Sequence, residues 1–260
     1  MITNKIPIFL VLLLLAIPQA DAFWGFAAKS TAKIAKLTKS SKALPDDEII
    51  RLSKLSDEAN GIGKIGKKLN DLDLPHDVLE DTYMRIAIHQ NKVSRNEAEG
   101  MFTRLSNTPG FRTTLRKVIG NNPMGTAGHL NELRIADTAS RHRFKVLNIG
   151  EYFDDGTKQA KTDIDIVLKK GTKYFAIEAK SNAPTTIIPM DRYRADLDTL
   201  VTYKMKHPDV LIPIFTITNK PADPRYLKLL QLEADKRNVQ LIFGSPQEQV
   251  VKIKLLGDIL

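Results

Sequence analysis

Cysteine is absent from all 260 residues, which excludes a disulfide framework, a thiolate-ligated zinc site and a thiol nucleophile. The chain can therefore fold in either redox compartment. Aromatic residues make up only 7%, so no base-stacking platform stands out from which to argue a single-strand or RNA preference. No Walker lysine pattern, Ser-His-Asp nucleophile elbow or zinc-protease signature is present, nor any internal repeat or long low-complexity segment. Gly61-Ile-Gly-Lys-Ile-Gly66 satisfies the letter of a dinucleotide-binding fingerprint. That fingerprint needs a preceding strand, whereas residues 49–59 read as helix, so the glycines are expected to form a flexible joint. Acids are the minority charge: 39 Lys and Arg face 30 Asp and Glu, a formal +9 with a pI near 9.5. That balance favours a polyanionic partner, whether DNA, RNA or an anionic membrane.

What is present begins with a targeting pattern. Lys5 precedes the apolar run Ile6–Ile17, and Ala20-Asp21-Ala22 supplies a small-x-small cleavage site. Residues 1–22 therefore read as a signal peptide, with export to the periplasm or beyond and a mature start at Phe23. The run is twelve residues long, short of the ~20 that a spanning helix needs. Residues 23–44 form a basic arm, with five lysines and no acid between Phe23 and Lys42. Phe23, Phe26, Ile34 and Leu37 gather on one side of a helical wheel, as in an interfacial helix that touches anionic membrane or nucleic acid. A solvated basic arm is the alternative. Residues 45–122 read as an accessory helical region that starts at Asp46-Asp47-Glu48 and is broken at Pro75, Pro109 and Gly110. It would serve as a prodomain, adaptor or substrate-binding accessory.

The richest chemistry lies in two strand-like runs, Thr162–Leu168 and Tyr174–Lys180, joined by the polar turn 169–173. Residues two apart on a strand share a face, so Glu178 and Lys180 project together while Ile177 and Ala179 point the other way. Asp165 joins them from the neighbouring strand, with Asp163 as a second candidate on the same face. Adjacent carboxylates repel and lose solvation, and a hard divalent cation such as Mg2+ or Mn2+ relieves both costs. A lysine beside such a cation can orient water or stabilise charge on phosphate.

An Asp at the start of one strand, Glu-x-Lys at the end of the next and an upstream helical Glu resemble the PD-(D/E)xK nuclease superfamily. Glu132 matches its helical acid, Asp165 and Glu178 its metal ligands, and Lys180 its catalytic lysine; Ile164 stands where the family name has proline. The surroundings agree in order: an amphipathic helix over 126–141, a strand over 144–149, the hairpin, a helix over 187–206, a strand over 209–218, a helix over 224–237 and a strand over 239–243. The resemblance thus implies an α/β restriction-endonuclease-like core (α-β-β-β-α-β-α-β) over residues 123–260. It further implies Mg2+ or Mn2+ held by Asp165, Glu178 and Glu132. Arg192, Arg194, Lys204 and Lys206 would supply phosphate contacts, and His129 could assist the phosphate or the metal. Family members often carry a polar residue on the helix after the hairpin; Asp191, Asp198 and Tyr203 occupy comparable stretches here. The expected activity is an exported endonuclease that hydrolyses DNA or RNA. It is similar in layout to toxin-type nucleases, for which an immunity protein is the expected partner. The rival expectations are a catalytically silent nucleic-acid-binding module and an exported membrane-associated interaction protein.

Overall fold

Acidic side chains in a first turn oppose the positive end of the helix dipole, and Asp46-Asp47-Glu48 opens α1 (Asp46–Ser56) in this way. The computed structural model describes residues 44–58, 60–120, 122–153, 162–207 and 210–259. The expected signal peptide and nearly all of the basic arm, residues 1–43, lie outside them. Residues from 44 onward form one compact unit.

The glycine-rich stretch is not a joint. It opens α2 (Gly61–Asp71), whose Ile65 and Leu69 are fully buried four residues apart. An apolar stripe at helical spacing outweighs the modest propensity cost of glycine. Gly61 itself is dictated by packing, since a Cβ there would stand 2.0 Å from the Leu55 carbonyl oxygen. The helices α3 (His76–His89), α4 (Arg95–Leu105) and α5 (Phe111–Gly120) follow. Before α5, Gly110 adopts φ +84° against the edge strand β1 (Lys145–Phe153): a Cβ would lie 1.7 Å from the Ile149 carbonyl oxygen. Beside it, the Ile149 N–H donates to the Pro109 carbonyl at 3.0 Å.

From α6 (Pro123–Arg141) onward the chain alternates strands with helices: β1, β2 (Thr162–Lys170), β3 (Lys173–Lys180), α7 (Met190–Lys206), β4 (Val210–Ile217), α8 (Pro224–Asp235), β5 (Gln240–Phe243) and α9 (Pro246–Ile259). The five strands make one mixed sheet in the order β1-β2-β3-β4-β5. Its first two pairings are antiparallel and its last two parallel. Apolar side chains on one face, among them Ile166, Ile177 and Ile214, pack with α6, α9 and the helices before α6. On the opposite face Val167, Ala176 and Phe215 pack with Tyr193 and Leu197 of α7 and Leu230 of α8. The protein is therefore an α/β fold with nine helices among the described residues and helices on both faces of the sheet.

Three boundaries differ from the sequence reading. α7 starts at Met190 rather than 187, because Pro189 occupies its N-cap position and proline disfavours helical geometry in the residue before it. β1 runs past 149 to Phe153 through Gly150 at φ +67°. α9 was not expected at all, although Ser245 and Glu248 close a reciprocal capping box: the Ser245 N–H donates to Glu248 Oε2 at 2.8 Å and the Glu248 N–H to Ser245 Oγ at 3.4 Å.

Candidate functional site

The β2–β3 ladder pairs Lys170 with Lys173 at the turn and ends at Ile166 opposite Ile177. Beyond that point Asp165 fills the gap, its Oδ2 accepting the Ala179 N–H at 2.7 Å. A carboxylate thus does the work of a strand carbonyl and is held rigidly at the sheet. On its other side β3 continues beside β4, with Glu178 opposite Phe215 and Lys180 opposite Ile217. Strand alternation buries Ile177 and Ala179 with α6, while Lys180 Nζ stands 5.9 Å from the Phe215 ring on the face under α7. Glu178 is only 7% exposed, and its Oε1 lies 2.5 Å from Lys180 Nζ.

A residue that the sequence reading overlooked completes this cluster. Asp196 of α7 puts Oδ2 2.9 Å from Lys180 Nζ; that oxygen is buried and accepts no directed hydrogen bond. The signal lay in the helical period: Tyr193, Leu197 and Leu200 form the buried stripe of α7, and Asp196 falls inside it. The three residues singled out earlier on this helix are occupied elsewhere or turned away. Asp191 is exposed, Asp198 pairs with Arg237 Nε at 2.6 Å, and the Tyr203 hydroxyl donates to Glu151 Oε1 at 3.0 Å.

Glu132 of α6 is 6% exposed, with Oε1 2.8 Å from His129 Nδ1. Asp163 stands 3.7 Å from Lys117 Nζ of α5 and is paired with Tyr152 of β1.

The electrostatics are those of an acid-rich cluster short of cations. Burial pushes the Asp165 carboxyl well above the ordinary range, and the charges of Glu178 and Glu132 push it further; Lys180 and the Ala179 N–H offset only part. Burial raises Glu178 to about 7 against the pull of Lys180, with Asp196 and Asp163 adding to the rise. Burial also works against the Lys180 ammonium, but Glu178, Asp165 and Asp196 overcome it and hold the lysine above its usual range. Three carboxylates thus act on one ammonium, two of them at contact distance.

No family model matches this chain, and no curated protein resembles it in sequence. A crystal structure of a protein of unknown function, AF1548, is similar over 50% of this chain and 67% of its own, at a TM-score of 0.36 and 14% identity.

Hard oxygen donors with uncompensated charge suit a divalent cation chemically, and Asp165 and Glu178 are the pair that would hold it, with Glu132 beyond Asp165. Among the described residues, no three acidic or histidine side chains stand close enough together to cage an ion as placed; the Lys180 ammonium lies against Glu178 instead. Of the expected phosphate contacts, Arg194 is turned to Glu233, 3.1 Å from its Oε2. Arg192 and Lys206 are exposed and Lys204 is half-buried. A second basic surface lies on α5, which carries Arg112, Arg116 and Lys117 and no acid. Lys117 sits 6.0 Å from the ring of Tyr152, which is 53% exposed.

Proposed function

We propose that this chain is a metal-dependent nuclease with a restriction-endonuclease-like core, hydrolysing phosphodiester bonds in DNA or RNA. The observation that carries the reading is a pair of carboxylates, half-buried Asp165 of β2 and buried Glu178 of β3, side by side with too little positive charge around them and a lysine alongside. A structural ion pair does not need three acids around one ammonium. A site built to take up a dication does. The element order from α6 to β5 supports the same reading.

Mg2+ or Mn2+, when bound, would supply Lewis acidity toward the scissile phosphate and toward a water. Asp165 and Glu178 would hold the ion, and Glu132, with His129 against it, would join them from α6. The Lys180 ammonium positions the attacking water or stabilises charge that develops on the phosphate oxygens. Lys117 of α5, beside Asp163 and the Tyr152 ring at the tip of β1, borders the cluster where a polyanionic strand would run. Export through residues 1–22, an antibacterial or host-directed role and a neutralising immunity partner complete the reading, as does membrane contact through residues 23–42. These rest on the sequence alone.

The test is cleavage of plasmid DNA, single-stranded DNA and total RNA by the mature chain in Mg2+, Mn2+ or EDTA. Glu178→Ala and Lys180→Ala should each reduce metal-dependent cleavage by at least about a hundredfold, in line with loss of a group that acts on the transition state. Folded wild-type protein that cleaves none of the three substrates in either metal would replace this reading with that of a silent binding module.

A further inference from the structure

Asp196 has no part in the chemistry above, yet its placement is firm. On either side of it along α7, Tyr193 and Leu200 are fully buried; the Tyr193 hydroxyl donates to the Leu230 carbonyl at 3.1 Å, and its ring meets Phe215 edge-on at 4.8 Å. Lys180, by contrast, reaches its partners through four rotatable methylenes. Its ammonium touches Glu178 at 2.5 Å and Asp196 at 2.9 Å. A divalent cation on Glu178 and an ammonium at contact distance from the same carboxylate oxygen repel each other, so the two cannot share it.

We infer that Lys180 is a resident counter-ion that keeps Glu178 neutralised until a divalent cation arrives, and that Asp196 is the berth to which its ammonium then withdraws. The inference rests on the metal-dependent reading and adds a role for a residue outside the ligand set. Withdrawal needs only side-chain rotation, because the ammonium already touches both acids. Asp196 is thus a positioning residue, acting on the metal through Lys180. Without it, the one anionic partner left to the lysine at contact distance among the described residues is the one the metal needs.

The test is a double-mutant cycle read by Mn2+ binding in calorimetry, not by turnover. Lys180→Met should bind Mn2+ about tenfold more tightly than wild type, and Asp196→Asn about tenfold more weakly, the scale of a coupling near the middle of the usual range for contacting residues. In the Lys180→Met background, Asp196→Asn should change the affinity by no more than about twofold, since there is no ammonium left to accommodate. Thermal unfolding of each variant checks the fold, and Lys180→Gln stands in if the methionine variant fails to fold. Equal weakening by Asp196→Asn in both backgrounds overturns the inference: Asp196 would then act on the metal directly, through its charge. Binding by Lys180→Met no tighter than by wild type overturns it too. If folded wild type and all variants bind no Mn2+, the metal-dependent reading itself falls, and the counter-ion role with it.

Discussion

Glu178 is the residue on which the pH behaviour turns. Its carboxyl rises from 4.5 to about 7 in the folded protein, so the fold prefers the protonated acid. Between those values the unfolded chain binds fewer protons than the folded one, and stability falls as pH rises, until above about 7 the whole cost is present. At ~1.4 kcal/mol per unit that cost is no more than about 3.5 kcal/mol. In EDTA, Glu178→Gln should therefore unfold several degrees higher than wild type at pH 8 and no higher at pH 4, measured by thermal melts, given ~2–4 °C per kcal/mol for a chain of this size. A wild-type melt at pH 8 should also rise when Mn2+ is added, because the ion binds only the folded form. Asp165, Glu178 and Lys180 were legible in the sequence because a strand has a side-chain period of two, and its faces follow from counting. Asp196 was not, because placing it needs the phase of a helix, and that phase was obscured by three other polar residues at plausible positions, Asp191, Asp198 and Tyr203.

At the scale of elements, strands and long periodic helices read well and their ends did not. The order from α6 to β5 follows from runs of β-branched and amphipathic residues. What escaped were features set by single contacts: the bend at Gly150, the start of α7 after Pro189, and α2, where packing against α1 turns three glycines into a helix. α9 could have been read from Ser245-x-x-Glu248, and its cap gives a direct check. Ser245→Ala should cost about 1 kcal/mol, measured as a lower midpoint in urea with an unchanged slope. Gly110→Ala should cost more. A methyl group there meets the Ile149 carbonyl oxygen at 1.7 Å in a left-handed backbone, so the junction of α5 with β1 must shift. The expected result is a loss of stability of more than about 1 kcal/mol.

For the whole molecule, the formal +9 is unevenly spread. Six of the 39 basic residues and one of the 30 acids precede residue 44, leaving 33 against 29 in the rest. Overall charge therefore says little about where a polyanion binds the compact unit, and local surfaces decide. α5 offers Lys117 beside Asp163 and the exposed Arg116 next to it in the chain, whereas Arg194 is committed to Glu233. Arg116→Glu with Lys117→Glu should weaken binding of a labelled oligonucleotide in EDTA and flatten its salt dependence. Each lost phosphate contact removes a slope of about 0.9 for duplex DNA or about 0.7 for a single strand. Arg194→Ala should leave that slope unchanged and lower the melting temperature instead.

The lashing of residues 109–110 to Ile149 has a consequence of another kind. β1 is the outer strand of the sheet, and an outer strand with open amides invites a neighbouring molecule to add a strand of its own. Here the chain's own backbone occupies the middle of that margin, and the opposite margin, β5, is only four residues long. Both borders are thus poor templates for strand addition, so edge-to-edge pairing between copies of this sheet is disfavoured.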